Sequence, residues 1–215
     1  MPGQQLTTVA LILGRQTSGS DNFEQLTAFS EEHGVLLCLS RLPKFAAPSA
    51  RRSTATRNEG WLDLFDEAEL ALESSTQGRT WFVKEHRHVR RHAGIGRSYD
   101  ALRTAAALAA LVTRNPVPDE SRAPIAALLR QSLGSLETGA RPDLVWLKSL
   151  FVFLRDEGYP VKQHWWQQLG SADRDAAAQI LNQPIAGQTP DPARVAQLTQ
   201  RLETWVAGDT EIRLR

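Results

Sequence analysis

RTWFVKEHRHVRRHAGIGRSYDALRTAAALAALVTR, residues 79–114, changes its hydrophobic period partway along. Up to Arg91 the segment reads as a strand running into a basic, histidine-rich stretch. Beyond Gly94 and Gly96 the period is that of a helix, with Ser98 as N-cap candidate, Asp100 in the first turn, and Leu102, Ala105, Ala106, Ala109 and Val112 on one face until Asn115-Pro116 stops it. The residues before this segment carry the punctuation of short strands, and those after it the spacing of helices. The expectation is an α+β chain with a boundary at the two glycines, giving a β domain over 1–93 and a helical domain over 94–215.

Upstream, Thr7–Leu13 is a short β-branched and apolar run closed by the turn cluster Ser18–Asn22. Phe23–Ser30 follows, with Phe23, Leu26 and Phe29 as its apolar residues, and His33-Gly34 turns the chain into Val35–Arg41. Trp61–Glu73 alternates again, with a phase slip near Phe65 and Asp66 that reads as a bulge. Thr80–Val83 supplies a fifth strand. Five short strands in about ninety residues fit a small oligonucleotide-binding (OB-fold) barrel.

Downstream, a second helix starts near Ser121 and carries Ile125, Leu128, Leu129, Ser132, Leu133 and Leu136. A third starts at Asp143, with Leu144, Leu147, Phe151 and Leu154 inward and Gly158-Tyr159-Pro160 at its end. Ser171 is the expected cap of a fourth helix to Leu181. Asp191-Pro192 opens a fifth, whose stripe is Val195, Leu198, Leu202, Trp205 and Val206.

The chain has 215 residues, 41% of them hydrophobic, a composition that excludes disordered and fibrous classes. No apolar run reaches the roughly 20 residues that span a bilayer. The first sixteen residues lack the charged start and apolar length of a signal peptide. The single cysteine, Cys38, excludes an internal disulfide and a cysteine-rich zinc site, and fits a reducing, cytoplasmic setting.

Net charge is only +1, but the charge is segregated. Arg79–Arg103 holds seven Lys or Arg against Glu85 and Asp100. Arg41–Arg57 holds Arg41, Lys44, Arg51, Arg52 and Arg57 and no acid, in a stretch from Pro43 to Asn58 that has no period. Glu59–Glu73 then holds six acids and no base. Such segregation lets a near-neutral chain bind polyanions locally.

Taken in order, these features resemble the DNA repair protein RecO family. Four stretches carry the likeness: Phe23–Arg41 (FEQLTAFSEEHGVLLCLSR), Leu62–Glu73 (LDLFDEAELALE), Trp146–Pro160 (WLKSLFVFLRDEGYP) and Asp191–Arg215. The second departs from the family's apolar-x-Pro-Phe motif by placing Leu64 where the proline sits. Val161–Gln168 (VKQHWWQQ) stands where many members carry a four-cysteine zinc module, and the basic strand-to-helix segment stands where the family is commonly acidic. The resemblance implies an OB-fold barrel followed by helices, and the departure at Val161–Gln168 implies that the zinc module is lost. The resemblance also implies binding of single- and double-stranded DNA, annealing, and recombinase loading with a RecR-like mediator and single-strand-binding protein.

Candidate DNA-binding residues are Arg41, Lys44, Arg51, Arg52 and Arg57 in the loop, and Lys84, Arg87, Arg90 and Arg91 in the segment after Val83. Flexible cations track a phosphate backbone by releasing counterions. Period two places Lys84, His86, His88 and Arg90 on one expected face. Zinc chelation by His86 with His88, or by His88 with His92, is the rival reading of that stretch. Phe45, Trp61, Trp81 and the Trp165-Trp166 pair are candidates for base stacking, with core packing as the alternative for the tryptophans and a plain core role for Cys38. Asp63, Asp66, Glu67 and Glu69 could hold a nuclease metal, but alternation splits them between faces, so a solvated surface is expected. With no catalytic signature in the sequence, the expectation is a non-enzymatic protein without a cofactor. The alternative is a protein-interaction module that keeps the fold without binding DNA.

Overall fold

The computed structural model describes residues 3–18, 22–42, 61–74 and 80–214. The chain divides into two compact units, Met1–Arg91 and His92–Arg215. Sequence punctuation places the boundary two residues later; His92 goes with the helices because its buried Nδ1 lies 3.0 Å from Glu137 Oε2.

In the first unit, β1 (Gln5–Thr17) extends well beyond Thr7–Leu13, because its polar end continues the antiparallel ladder with β2 (Phe23–Ser30) as far as Thr17 opposite Glu24. β2 pairs with β3 (Gly34–Arg41) through a turn in which Gly34 takes φ 69°, a conformation open to glycine without a Cβ clash. β4 (Glu67–Ser74) pairs antiparallel with β1 and with β5 (Trp81–Arg90). β5 then meets β3 in parallel at Cys38–Trp81 and Leu39–Phe82. The ring closes in the order β1-β2-β3-β5-β4.

Period-two alternation fills this ring. Ala10, Ile12, Leu26, Ala28, Leu36, Cys38, Ala68, Leu70 and Leu72 point inward, with Leu6, Trp81 and Val83 packed against them. Cys38 is fully buried, and burial pushes its thiol up to about 12, so it is an inert core residue. One step past the apolar core, Glu24 and Arg15 continue the inward positions. Glu24 is buried and takes bonds of 3.0 and 2.7 Å from Arg15 Nε and Nη2, while Arg15 Nη1 reaches Asp63 at 3.0 Å. Burial works against the Arg15 charge, and the two carboxylates more than offset it, so its pKa is raised.

Two strand expectations need correction. Trp61–Asp66 is not the start of a strand: Leu64 and Phe65 form a turn, with Phe65 at φ 69°. Asp66 Oδ2 accepts from Asp63 N at 3.0 Å, and burying both Leu62 and Phe65 holds this costly backbone conformation in place. Phe65 N still bonds Ile12 O at 2.7 Å, so the turn leads directly into the β1–β4 ladder. The fifth strand does not end at Val83 but runs on to Arg90. Its register shifts between Ala71 and Leu72 and again between Glu67 and Ala68, leaving Lys84 and Val89 as the extra residues.

In the second unit, α1 (Tyr99–Thr113) starts at Ser98, whose hydroxyl accepts from Ala101 N. Its buried stripe is Ala101, Thr104, Ala105, Leu108, Ala109, Leu111 and Val112; Leu102 and Ala106, expected inward, are exposed. α3 (Pro142–Asp156) is the central helix, packed by α1, by α2 (Arg122–Glu137), by α5 (Ser171–Asn182) and by α6 (Pro192–Asp209). Ser132 of α2 and Ser149 of α3 satisfy each other inside this packing at 2.8 Å. α5 is preceded by Gly170 rather than capped by the Ser171 side chain, and a one-turn α4 (Trp165–Gln168) precedes it. Asp191 caps α6 through Ala193 N, as the Asp-Pro pair implies. Asp173 in the first turn of α5 ties that helix to α6 through Arg194 and, at 2.8 Å, through Arg201.

Candidate nucleic-acid interface

Lys44, Arg51, Arg52 and Arg57 lie outside the described residues, as does Phe45. Of the other five candidates, three sit against acids of the β4 side. Lys84 Nζ is 2.6 Å from Glu73, Arg87 Nη2 is 2.8 Å from Glu69, and Arg91 Nε is 3.6 Å from Asp66. Arg91 Nη2 also donates to Trp61 O at 2.8 Å. Arg90 is exposed, opposite Glu67 in the register. The basic strand is thus laid beside the acidic one, and local excess charge in the sequence becomes paired charge in the fold.

The expected single face of Lys84, His86, His88 and Arg90 is broken by the first bulge. His86 and His88 oppose inward Leu70 and Ala68 and share an edge-to-face contact at 5.4 Å, while Lys84 turns to Glu73 beside outward Phe82. Among the described residues, no three His, Cys, Asp or Glu side chains are grouped as metal ligands. The acidic stretch is not uniformly solvated either. Asp66 and Glu67 are buried, and Asp66 faces His88 at 3.4 Å as well as Arg91.

The remaining candidate, Arg41, is exposed and sits in a different environment. Its guanidinium carbon is 5.9 Å from the centre of the Phe23 ring, and Phe23 meets Phe82 edge-on at 6.1 Å. No carboxylate among the described residues pairs with it. Phe23 is opposite Arg41 on the β2–β3 ladder, and Leu39 is opposite both Gln25 and Phe82, so these side chains share the outward face. Val35 and Leu37 continue that face and are 40% and 43% exposed. Sequence reasoning named Phe23 only as an apolar strand residue and did not name Phe82. The signal was available in the alternation, since inward Trp81 and Val83 leave Phe82 outward.

Trp81 packs against the barrel core and Trp165 is buried, while Trp61 is exposed. Trp166, with Phe151, Val152 and Leu181, floors a groove of about 310 Å³ in the helical unit, edged by Lys148, Arg155 and Lys162. Burial lowers the pKa of Lys148, yet its ammonium donates to Ile180 O, Leu181 O and Gln183 O at the end of α5, where carbonyls lack helical partners. A wider groove of about 610 Å³ lies among Asp100, Arg103, Asp143, Trp146 and Glu203, with Trp146 Nε1 donating to Glu203 at 2.8 Å. Among the described residues no helix is long and apolar enough to cross a membrane.

No family model and no curated protein sequence matches the chain.

Proposed function

We propose that this protein is a non-enzymatic DNA-binding recombination and repair mediator of the RecO kind, acting in the cytoplasm. The observation that carries the reading is the five-stranded ring β1-β2-β3-β5-β4 with its parallel β3–β5 closure, which we read as an OB-fold. Barrels of that kind take oligonucleotides on the β2–β3 face and adjoining loops. Here that face holds Arg41 with no carboxylate partner among the described residues, and the sequence that follows β3 adds Lys44, Arg51, Arg52 and Arg57. Cations that meet phosphates rather than base edges give affinity without sequence readout, for single and double strands alike. That behaviour suits annealing and recombinase loading. The groove floored by Phe151, Val152 and Trp166, with Lys162 at its edge, is suited to a largely apolar partner segment carrying an acidic residue, in keeping with a RecR-like mediator and single-strand-binding protein as partners.

Fluorescence anisotropy with labelled single- and double-stranded oligonucleotides tests this at two salt concentrations, about 50 and 200 mM, where phosphate binding weakens steeply. Absence of binding at the lower salt would overturn it. The second reading, a protein-interaction module, draws on the pairing of Lys84, Arg87 and Arg91 with acids, which leaves less free positive charge than the sequence promises. Neutralising Arg51, Arg52 and Arg57 together separates the two: DNA affinity falls under the first reading and is unaffected under the second.

A further inference from the structure

We propose that the outward face of β2, β3 and β5 is a stacking platform for unpaired bases, with Phe23 and Phe82 as its rings and Arg41 as its cation. The proposal rests on the nucleic-acid reading above and sharpens it, because it assigns the barrel a preference for single strands.

Register and alternation place the groups. Phe23 and Arg41 are directly opposed, and Phe82 joins them through Leu39 across the parallel β3–β5 contact. The solvated face of an antiparallel sheet is ordinarily polar. This one presents Val35, Leu37, Leu39, Phe23 and Phe82 in partial or full exposure. Nothing in barrel packing requires those residues, since Cys38, Leu26 and Trp81 on the opposite parity already fill the interior.

Charge then selects the occupant. Arg15, Lys84, Arg87 and Arg91 are each held by carboxylates, whereas among the described residues Arg41 has no carboxylate partner and lies over a ring at 5.9 Å, the outer limit of a cation–π contact. A loosely held guanidinium beside two aromatic rings matches a nucleotide, which offers a π-face and a phosphate at adjacent positions. The edge-on packing of Phe23 and Phe82, with 73° between their planes, leaves ring surface that a stacked pair would cover. In a duplex the bases are stacked on each other and unavailable, so the platform serves single strands.

Base–aromatic stacking changes affinity by roughly 5- to 150-fold per base. The full chain carrying F23L and F82L, which keeps the apolar volume and removes the rings, is therefore expected to lose at least about tenfold in affinity for a labelled oligothymidylate. Duplex affinity should stay within about twofold and the salt dependence on single strands should be unchanged, because no phosphate contact is removed. F23Y/F82Y should retain single-strand binding. R41Q should instead flatten the single-strand salt dependence by about 0.7 in log–log slope. If the wild type binds neither strand, the nucleic-acid reading falls and the platform with it. If the wild type binds and F23L/F82L binds single strands equally well, or loses single and double strands in equal measure, the platform alone is overturned. A change in sedimentation of F23L/F82L with single-strand binding intact likewise overturns it, marking the face as a protein contact. Should F23L/F82L fail to fold, photocrosslinking of the wild type to an oligonucleotide bearing 5-iododeoxyuridine decides the matter: adducts on Phe23 or Phe82 support the platform, and adducts confined elsewhere refute it.

Discussion

Glu69 and Glu73 hold Arg87 and Lys84 on the outer side of the β4–β5 ladder, and removing those two carboxylate charges should convert an internally balanced surface into a DNA-binding one. All four side chains are well exposed, at 59% and 38% for the arginine pair and 58% and 37% for the lysine pair. Pairs so exposed are worth about 0–1 kcal/mol each, so E69Q/E73Q should melt close to the wild type. Two released cations that each neutralise one phosphate add about 1.8 to the log–log salt slope on duplex DNA. Over a fourfold rise in salt, from about 50 to 200 mM, that slope amounts to roughly a further tenfold loss of affinity. The expected result by anisotropy is tighter binding at low salt together with this steeper decline. K84Q/R87Q should do little in comparison, because it removes charge that is already compensated. An unchanged slope in E69Q/E73Q, or a large loss in K84Q/R87Q, would refute the view that the β4 acids mask this strand.

Other expectations concern stability. D173A leaves the guanidinium groups of Arg194 and Arg201 facing each other without their shared anion; since both reach solvent while Asp173 is buried, the cost should be about 2–3 kcal/mol, read as a lowered urea midpoint, and a shift below about 0.5 would contradict the bridging role. The folded Cys38 thiol titrates at about 12 against an ordinary 9.0, so its contribution to stability is complete below about pH 9 and is lost as pH rises toward 12. C38A should flatten stability over that window, and native Cys38 should resist alkylation near pH 8; rapid labelling without denaturant would show the reasoning wrong. A Cβ on Gly94 would stand 2.6 Å from Glu137 O, whereas one on Gly96 would meet nothing within 4 Å. G94A should therefore cost about 1–3 kcal/mol in thermal melts and G96A far less, and equal effects would dismiss the close approach as the reason for Gly94.

Much of the secondary structure was legible because its signals are local. Ser98, Asp191-Pro192 and the leucine spacing of α2 each act within a few residues, and the structure follows them. What could not be read depends on partners far along the chain. The bulge at Lys84 is a property of the β4–β5 register, and a one-residue slip there sends the side chain to the other face. Leu102 fits the helical stripe by spacing, but packing around α1 buries Ala101 and Thr104 in its stead. Phe65 shows no composition cue for positive φ; its conformation follows from burial of Leu62 and Phe65 on either side of an Asp63–Asp66 turn. The candidate site divided in the same way. Cations were visible as cations, but Glu73, Glu69 and Asp66 could be matched to Lys84, Arg87 and Arg91 only once the ladder was known. Phe23, Arg41 and Phe82 come together from three separate strands.

Closure of the ring has a consequence for how this protein can change. β3 is held by β2 and β5, and β4 by β1 and β5, so each strand has ladder partners on both sides. Leu42 N is fixed to Asn22 O at 2.9 Å on one side, and Asp63 is fixed to Arg15 at 3.0 Å on the other. The ladder pairs of β3 and β4 thus lie wholly within the five strands, and substitutions of Lys44, Arg51, Arg52 and Arg57, in the sequence between them, would tune affinity for a polyanion while leaving each of those pairs in place.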